Sequence, residues 1–354
     1  MKYSGIGGQA VIEGVMMKNR DECAVAVRKT DGEIALRKEQ HRSIRDRCRL
    51  ARVPVIRGVA AFAESLSTGM RMLNYSASFF EEEETAGDAG RAEDKGKTES
   101  LLMGLVMAAA IIIAIGIFVI APFLVSEALR KIIRSPQLRG LLEGVIRVVL
   151  FVVYVKLISR MEDIRRVFMY HGAEHKSINC IENGYELTVE NVRSQTTRHK
   201  RCGTSFLLVV MFISILFFMF IVVRNMWLRM VLRILLIPVI AGVSYEFIRY
   251  AGSHDNVFSN ILSRPGLWLQ GLTTAEPDDR MIEVAIASVE AVFDWKSFVA
   301  EVNGGESRGA ELESAPAKEP AADESGIEIL AVEDMEEEDD EILNALDRYF
   351  EAPK

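Results

Sequence analysis

Two of the chain's five histidines, His171 and His175, lie four positions apart in RRVFMYHGAEHKSINCIENG, residues 165–184, with Glu174 directly before the second. The stretch from Asp163 to Asn183 contains no proline, and Asn183-Gly184 supplies a stop signal, so the spacing predicts a helix. On a helix the two imidazoles share one face one turn apart, where both can hold a single metal ion. The order His-x-x-Glu-His is that of the inverted zincins, in which the glutamate acts as general base on a water activated by the metal. Glu174 is therefore the candidate catalytic residue. A divalent ion is the expected cofactor, with zinc the best match to nitrogen plus carboxylate or thiolate ligands. Further ligands must come from elsewhere in the chain, and His199, Cys202, Glu246 and His254 are the candidates. The candidate metal set is thus His171, His175, Glu246, Cys202 and His199. Three protein ligands would leave a catalytic position open, whereas four, including both His199 and Cys202, would close a structural site. Against both stands a plainer reading, with the histidines on a solvated helix face and Glu174 paired to Lys176.

What positions these residues depends on where a membrane would lie. Hydrophobic residues make up 49% of the 354 positions and charged residues 26%, and the mean hydropathy is +0.15. Apolar and charged residues are segregated. Residues 301–354 carry 18 Asp/Glu against 4 Lys/Arg, a net of −14 in a chain of −8, which leaves the body mildly basic. The run LLMGLVMAAAIIIAIGIFVIAPFLV, residues 101–125, is uncharged and long enough to cross about 30 Å of hydrocarbon. Residues 205–223 form a second uncharged run. Residues 141–158, carrying Glu143 and Arg147, and 228–248 complete the expected set. Segment 156–204 holds nine Lys/Arg, and the N-terminal region is also basic, so the positive-inside rule favours both on one side.

The expectation is a polytopic α-helical membrane protein with about four transmembrane helices, a small α+β cytoplasmic module and a disordered acidic C-terminal tail. Its domains would be 1–80 (hairpin plus apolar helix), a charged linker 81–100, a membrane domain 101–250 with the histidines in a cytoplasmic loop 159–204, a helical segment 251–300, and the tail 301–354. Both termini would lie in the cytoplasm of a bacterial inner membrane. The four cysteines lack the dense spacing of a disulfide scaffold and read as reduced thiols. No signal peptide is expected from the opening residues.

Around Asp31-Gly32 the alternation of AVAVRKTDGEIALRK predicts a hairpin. VPVIRGVAAFAESLSTGMRML reads as a largely apolar helix. Pro277 with Asp278 and Asp279 starts another, whose Ile282, Ala285, Ile286 and Val289 stripe would pack on the N-terminal module. The opening glycines do not make a phosphate loop, since no Gly-Lys-Ser/Thr follows. Glu13, inside the apolar AVIEGVMM, needs a partner. Residues 341–350 could form a short amphipathic helix. The expected partners are a lipid bilayer and a basic cytosolic protein for the acidic tail; no nucleic-acid partner is expected.

GGQAVIEGVMM, YHGAEHKSINCIENG, RCGTSFLL, SYEFIRYAG and PGLWLQGLTTAEPDD, in that order from about residue 3 to residue 293, resemble the signature stretches of the YqhQ-like family of bacterial membrane proteins. That family is of unknown function and is described as a predicted metal-dependent enzyme. The resemblance implies that Glu13, His171, Glu174, His175 and Cys202 are motif positions. It supplies no substrate. The function expected is a metal-dependent hydrolase with its site at the cytoplasmic membrane surface. The alternative is a non-catalytic scaffold or assembly factor in which the same residues form a structural zinc clasp or a polar network.

Overall fold

The structure, a computed structural model, describes residues 3–40, 53–85, 92–221, 223, 225–253, 257–304 and 327–330. Four short strands, the middle two buried over most of their length, make an antiparallel meander: β1 (Gly7–Val11), β2 (Gly14–Asn19), β3 (Glu22–Arg28) and β4 (Ile34–Gln40). Gly32, with φ +92°, turns β3 into β4 in a conformation that a side chain would disfavour. A fifth strand, β5 (Ile327–Leu330), runs parallel beside β4.

Alternation gives the sheet two apolar faces. Val15, Met17, Ala24 and Ala26 meet α5 (Glu162–Glu182) and α11 (Asp279–Val292). Val11, Met16, Cys23, Val25 and Val27 meet Met72 of α1 (Ile56–Thr85). Asp278 caps α11 by accepting the Met281 N–H at 2.9 Å, and the helix then buries Ile282, Ala285 and Val289 against the sheet. The sheet is sandwiched, and α5 is one of its covering helices. α12 (Trp295–Val302) follows α11 and packs its Val299 into the same core.

The remaining helices form a second layer: α2 (Ala92–Ile115), α3 (Ala121–Ala128), α4 (Pro136–Ile158), α7 (Gly203–Phe220), α8 (Met226–Leu235), α9 (Ile237–Ser253) and α10 (Val257–Thr273). The short α6 (Val189–Arg193) belongs to the loop beyond α5. In α4 the residues facing inward are Gly140, Glu143, Gly144, Arg147 and Val155. Leu138, Leu141, Val145, Val149, Val153 and Leu157 face outward. The helix is inverted relative to a helix of a water-soluble protein. Glu143 pairs with Arg147 and with Arg233 of α8, and Arg229 of α8 pairs with Glu127. Trp227, on the outer side of α8, is 69% exposed. Gly140 and Gly144, four apart, let α4 close on the Met219 backbone and the Ile215 side chain of α7.

The expectation of about four transmembrane helices is corrected. Among the described residues one helix, Gly104–Lys131, is long and apolar enough to cross a membrane. A second would exist only if Met226–Leu235 and Ile237–Tyr250, bent by 43°, act as one span. The run at 141–158 fails because α4 carries Arg139, Glu143, Arg147 and Lys156. At 205–223 the apolar stretch among the described residues is the shorter Phe206–Phe220, within α7. The expected span at 228–248 is interrupted at Leu236, where α8 ends. Most of the acidic tail, the 341–350 segment, His254 and Cys48 lie outside the described residues.

Candidate metal centre

Helix α5 opens with Glu162 and Asp163 in its first turn, where negative charge suits the helix dipole. It closes on a Schellman motif: Tyr185 N–H donates to Cys180 O and Gly184 N–H to Ile181 O, with Gly184 at φ +80°. Tyr170 and every residue from Gly172 to Glu182 are buried. Burying Tyr170, Ile178 and Ile181 contributes about 1.5–3 kcal/mol each. The polar residues on the same helix are carried into the interior by that packing.

His171 and His175 meet there with ring centroids 4.4 Å apart. Cys202, the N-cap of α7, joins them, and its Sγ is 3.1 Å from His171 Nε2. One ligand atom from each of His171, His175 and Cys202 falls within 4.8 Å of the others. His171 Nδ1 lies 2.8 Å from Thr273 O, and His175 Nδ1 lies 2.6 Å from Thr197 O. A carbonyl only accepts, so both Nδ1 atoms carry the proton and both Nε2 atoms present lone pairs. Burial holds His175 below the ordinary imidazole range despite the neighbouring Cys202, which keeps the ring neutral as a ligand must be. The Cys202 sulfur receives the Thr204 N–H at 3.3 Å and lies 3.0 Å from the Thr204 hydroxyl.

Two buried atoms in this cluster have no hydrogen-bond partner among the described residues: His175 Nε2 and Glu174 Oε2. Orphaned buried polar atoms are costly, and a cation held by His175 Nε2 would remove that cost for the ring nitrogen. The donor set of two imidazoles and a thiolate fits a tetrahedral zinc ion with one position left over. Burial raises the Glu174 carboxyl, opposed by His171, His199 and the Gly8 backbone N–H. Gly8 of β1 is the close approach that makes this contact: a Cβ there would sit 2.9 Å from Glu174 Cδ and 2.7 Å from Met16 O. Gly172 plays the same part on α5, since its Cβ would meet Ala275 O at 2.0 Å. The chain after α10 crosses α5 at that point, Ala275 N–H bonding Phe168 O at 2.9 Å, and so brings Thr273 O to His171.

The structure does not bring the other candidate ligands into this group. Glu246 forms an ion pair with Arg57 of α1. His199 neighbours His175, with centroids 5.8 Å apart, but its Nε2 faces Glu182 Oε2 at 3.3 Å. Glu13, at φ +49° in the turn between β1 and β2, receives Arg166 and Tyr170 of α5 and so ties the hairpin to the histidine helix. Sequence reasoning missed Thr197, Thr273 and Gly172, which act through backbone atoms or through the lack of a side chain. It also missed Glu182 and Gln270. The Gly140-x-x-x-Gly144 spacing is a signal that could have exposed the α4–α7 seam.

A layered protein with a sheet on one side, inverted helices on the other, and a His₂Cys cluster beside a buried glutamate defines the class. Residues 53–295 match the family described as "Protein of unknown function (DUF1385)", and the chain belongs to that family. It is 35% identical over 287 residues to "Uncharacterized protein YqhQ" of Bacillus subtilis (strain 168), covering 80% of this chain and 90% of that protein. No solved structure matches it.

Proposed function

We propose that this protein is a metal-dependent hydrolase whose centre is His171, His175 and Cys202 with Glu174 as general base. The observation that carries the reading is the three-ligand set with an unpartnered carboxylate oxygen beside it. A closed structural site would need a fourth side chain, and of the other candidate ligands His199 is engaged by Glu182 and Glu246 by Arg57. Bound there, a zinc ion supplies Lewis acidity toward water and a substrate oxygen. The chain's own part is to orient both imidazoles through Thr197 O and Thr273 O, and to keep Glu174 in position to take a proton from the attacking water. The Gly8 amide orients that carboxylate. Glu174→Gln removes the base and not a ligand, so the variant should retain zinc and fail to complement a deletion strain. Full complementation by Glu174→Gln would refute the catalytic reading.

A lipid bilayer is the proposed surrounding of the second layer. None of the apolar window in helix Gly104–Lys131 is covered by the rest of the chain, and α4 and α8 turn their arginines inward. Such a surface is unfavourable in water and favourable in hydrocarbon. The protein should stay with the membrane pellet through an alkaline carbonate wash, and release into the supernatant would contradict this placement.

A further inference from the structure

Outside the metal triangle, the most heavily satisfied buried charge on α5 is Glu182, seven residues beyond His175 and wholly buried. Its Oε1 accepts from the Ser4 N–H at 3.0 Å and the Ser4 hydroxyl at 2.9 Å, and lies 3.4 Å from Arg201 Nη1. Its Oε2 lies 3.3 Å from His199 Nε2. Burial works against the charge, but His199 and Ser4 outweigh it and hold this carboxyl below the ordinary range.

The contacts follow the loop that leads into Cys202. Lys176 Nζ donates to Arg193 O at 2.8 Å. Asn179 Nδ2 donates to Thr196 O and Arg198 O at 2.8 and 3.0 Å. His175 takes Thr197 O. Beyond Arg198, the hold from α5 passes to Glu182, which engages His199 and Arg201, the residues just before the ligand. From the opposite side Gln270 of α10 brackets the His199 backbone, accepting its N–H at 2.9 Å and donating to its carbonyl at 2.7 Å. Arg201 also stacks on Tyr3, 3.7 Å above the ring.

We propose that Glu182 is the positioning residue of the metal centre, fixing the segment 199–202 so that Cys202 Sγ reaches the point shared by the two histidines. The inference rests on the metal reading above and adds to it the residue that sets the thiolate's place. Without Glu182, His199 Nε2, Arg201 Nη1 and Ser4 would lose the carboxylate that joins them. Residues that orient ligands from outside the coordination sphere change metal affinity by about 10–100-fold when removed.

The test is a cobalt(II) titration of the full-length protein, reading both affinity and the thiolate-to-cobalt charge-transfer band that reports sulfur ligation. Glu182→Ala should bind about 10–100-fold more weakly with a diminished sulfur band. Glu182→Gln, which keeps the volume and one acceptor oxygen, should recover part of both, and it decides the matter alone if the alanine variant fails to fold. A lower unfolding temperature with unchanged affinity and an intact band would make Glu182 merely structural and overturn the proposal. Absence of the band in the wild-type protein would overturn the metal reading and this inference together. A normal wild-type band with an unaffected Glu182→Gln would overturn the inference alone.

Discussion

Replacing Gly172 by alanine tests whether the loop after α10 is held against α5 as the geometry requires. The added Cβ would sit 2.0 Å from Ala275 O and 3.2 Å from Ala275 C. An ordinary carbon–oxygen approach is about 3.3–3.6 Å, so the backbone must move by roughly 1.3 Å. Two buried hydrogen bonds stand in the way, Ala275 N–H to Phe168 O and His171 Nδ1–H to Thr273 O. Each costs about 1–3 kcal/mol if left unmade, while alanine returns up to about 1 kcal/mol in the helix. The net expectation is a loss of about 1–6 kcal/mol in stability. Zinc affinity should fall by about 10–100-fold, because His171 loses the acceptor that orients it. Denaturant unfolding and competitive zinc titration measure the two effects. Gly104→Ala is the control, since nothing lies within 4 Å of its added Cβ and the helix should tolerate it. A Gly172→Ala protein with wild-type stability and wild-type zinc affinity would refute the reasoning.

Two further outcomes follow from the buried groups. Burial pushes the Cys23 thiol up to about 11 and the Cys180 thiol up to about 12. In a Cys48→Ser background, iodoacetamide should therefore modify neither in the folded protein, and Cys202 only after a chelator has stripped the metal; early labelling of Cys180 would contradict its burial. Glu182 sits below its ordinary value of 4.5 when folded, so the folded state binds fewer protons than the unfolded one. Its contribution is complete above about 4.5 and is lost as pH falls through the folded value. The stability gap between wild type and Glu182→Gln should thus be widest near neutrality and narrow below pH about 4.5; a gap independent of pH would count against the buried ionised carboxylate.

The elements that were legible in the sequence are those written in local chemistry. Asp31-Gly32 between alternating runs marks the β3–β4 turn, and Asn183-Gly184 marks the end of α5 because glycine accepts the left-handed backbone there. Asp278 before an apolar stripe marks α11. The pairing of His171 and His175 follows from helix periodicity alone. The arrival of Cys202 does not, because it depends on a loop whose carbonyls are gathered by α5. The number of spans was overcounted for a related reason. A span at 141–158 is expected in order to keep two basic segments on one side, and the sequence does not show that Glu143 meets Arg233, ninety residues further on, as well as Arg147. Glu246 closes an otherwise apolar run and so looked available, yet Arg57 at the start of α1 takes it up. Neither pairing has a local signature.

X-ray absorption of the purified protein loaded with zinc addresses the central claim most directly, because it counts ions and identifies their neighbours in one experiment. The account predicts one ion per chain, bound by two imidazole nitrogens and one sulfur with a further light-atom neighbour, and lost in His171→Ala and His175→Ala. A protein that holds no zinc, or one whose ion has no sulfur neighbour and survives both histidine substitutions, would contradict it.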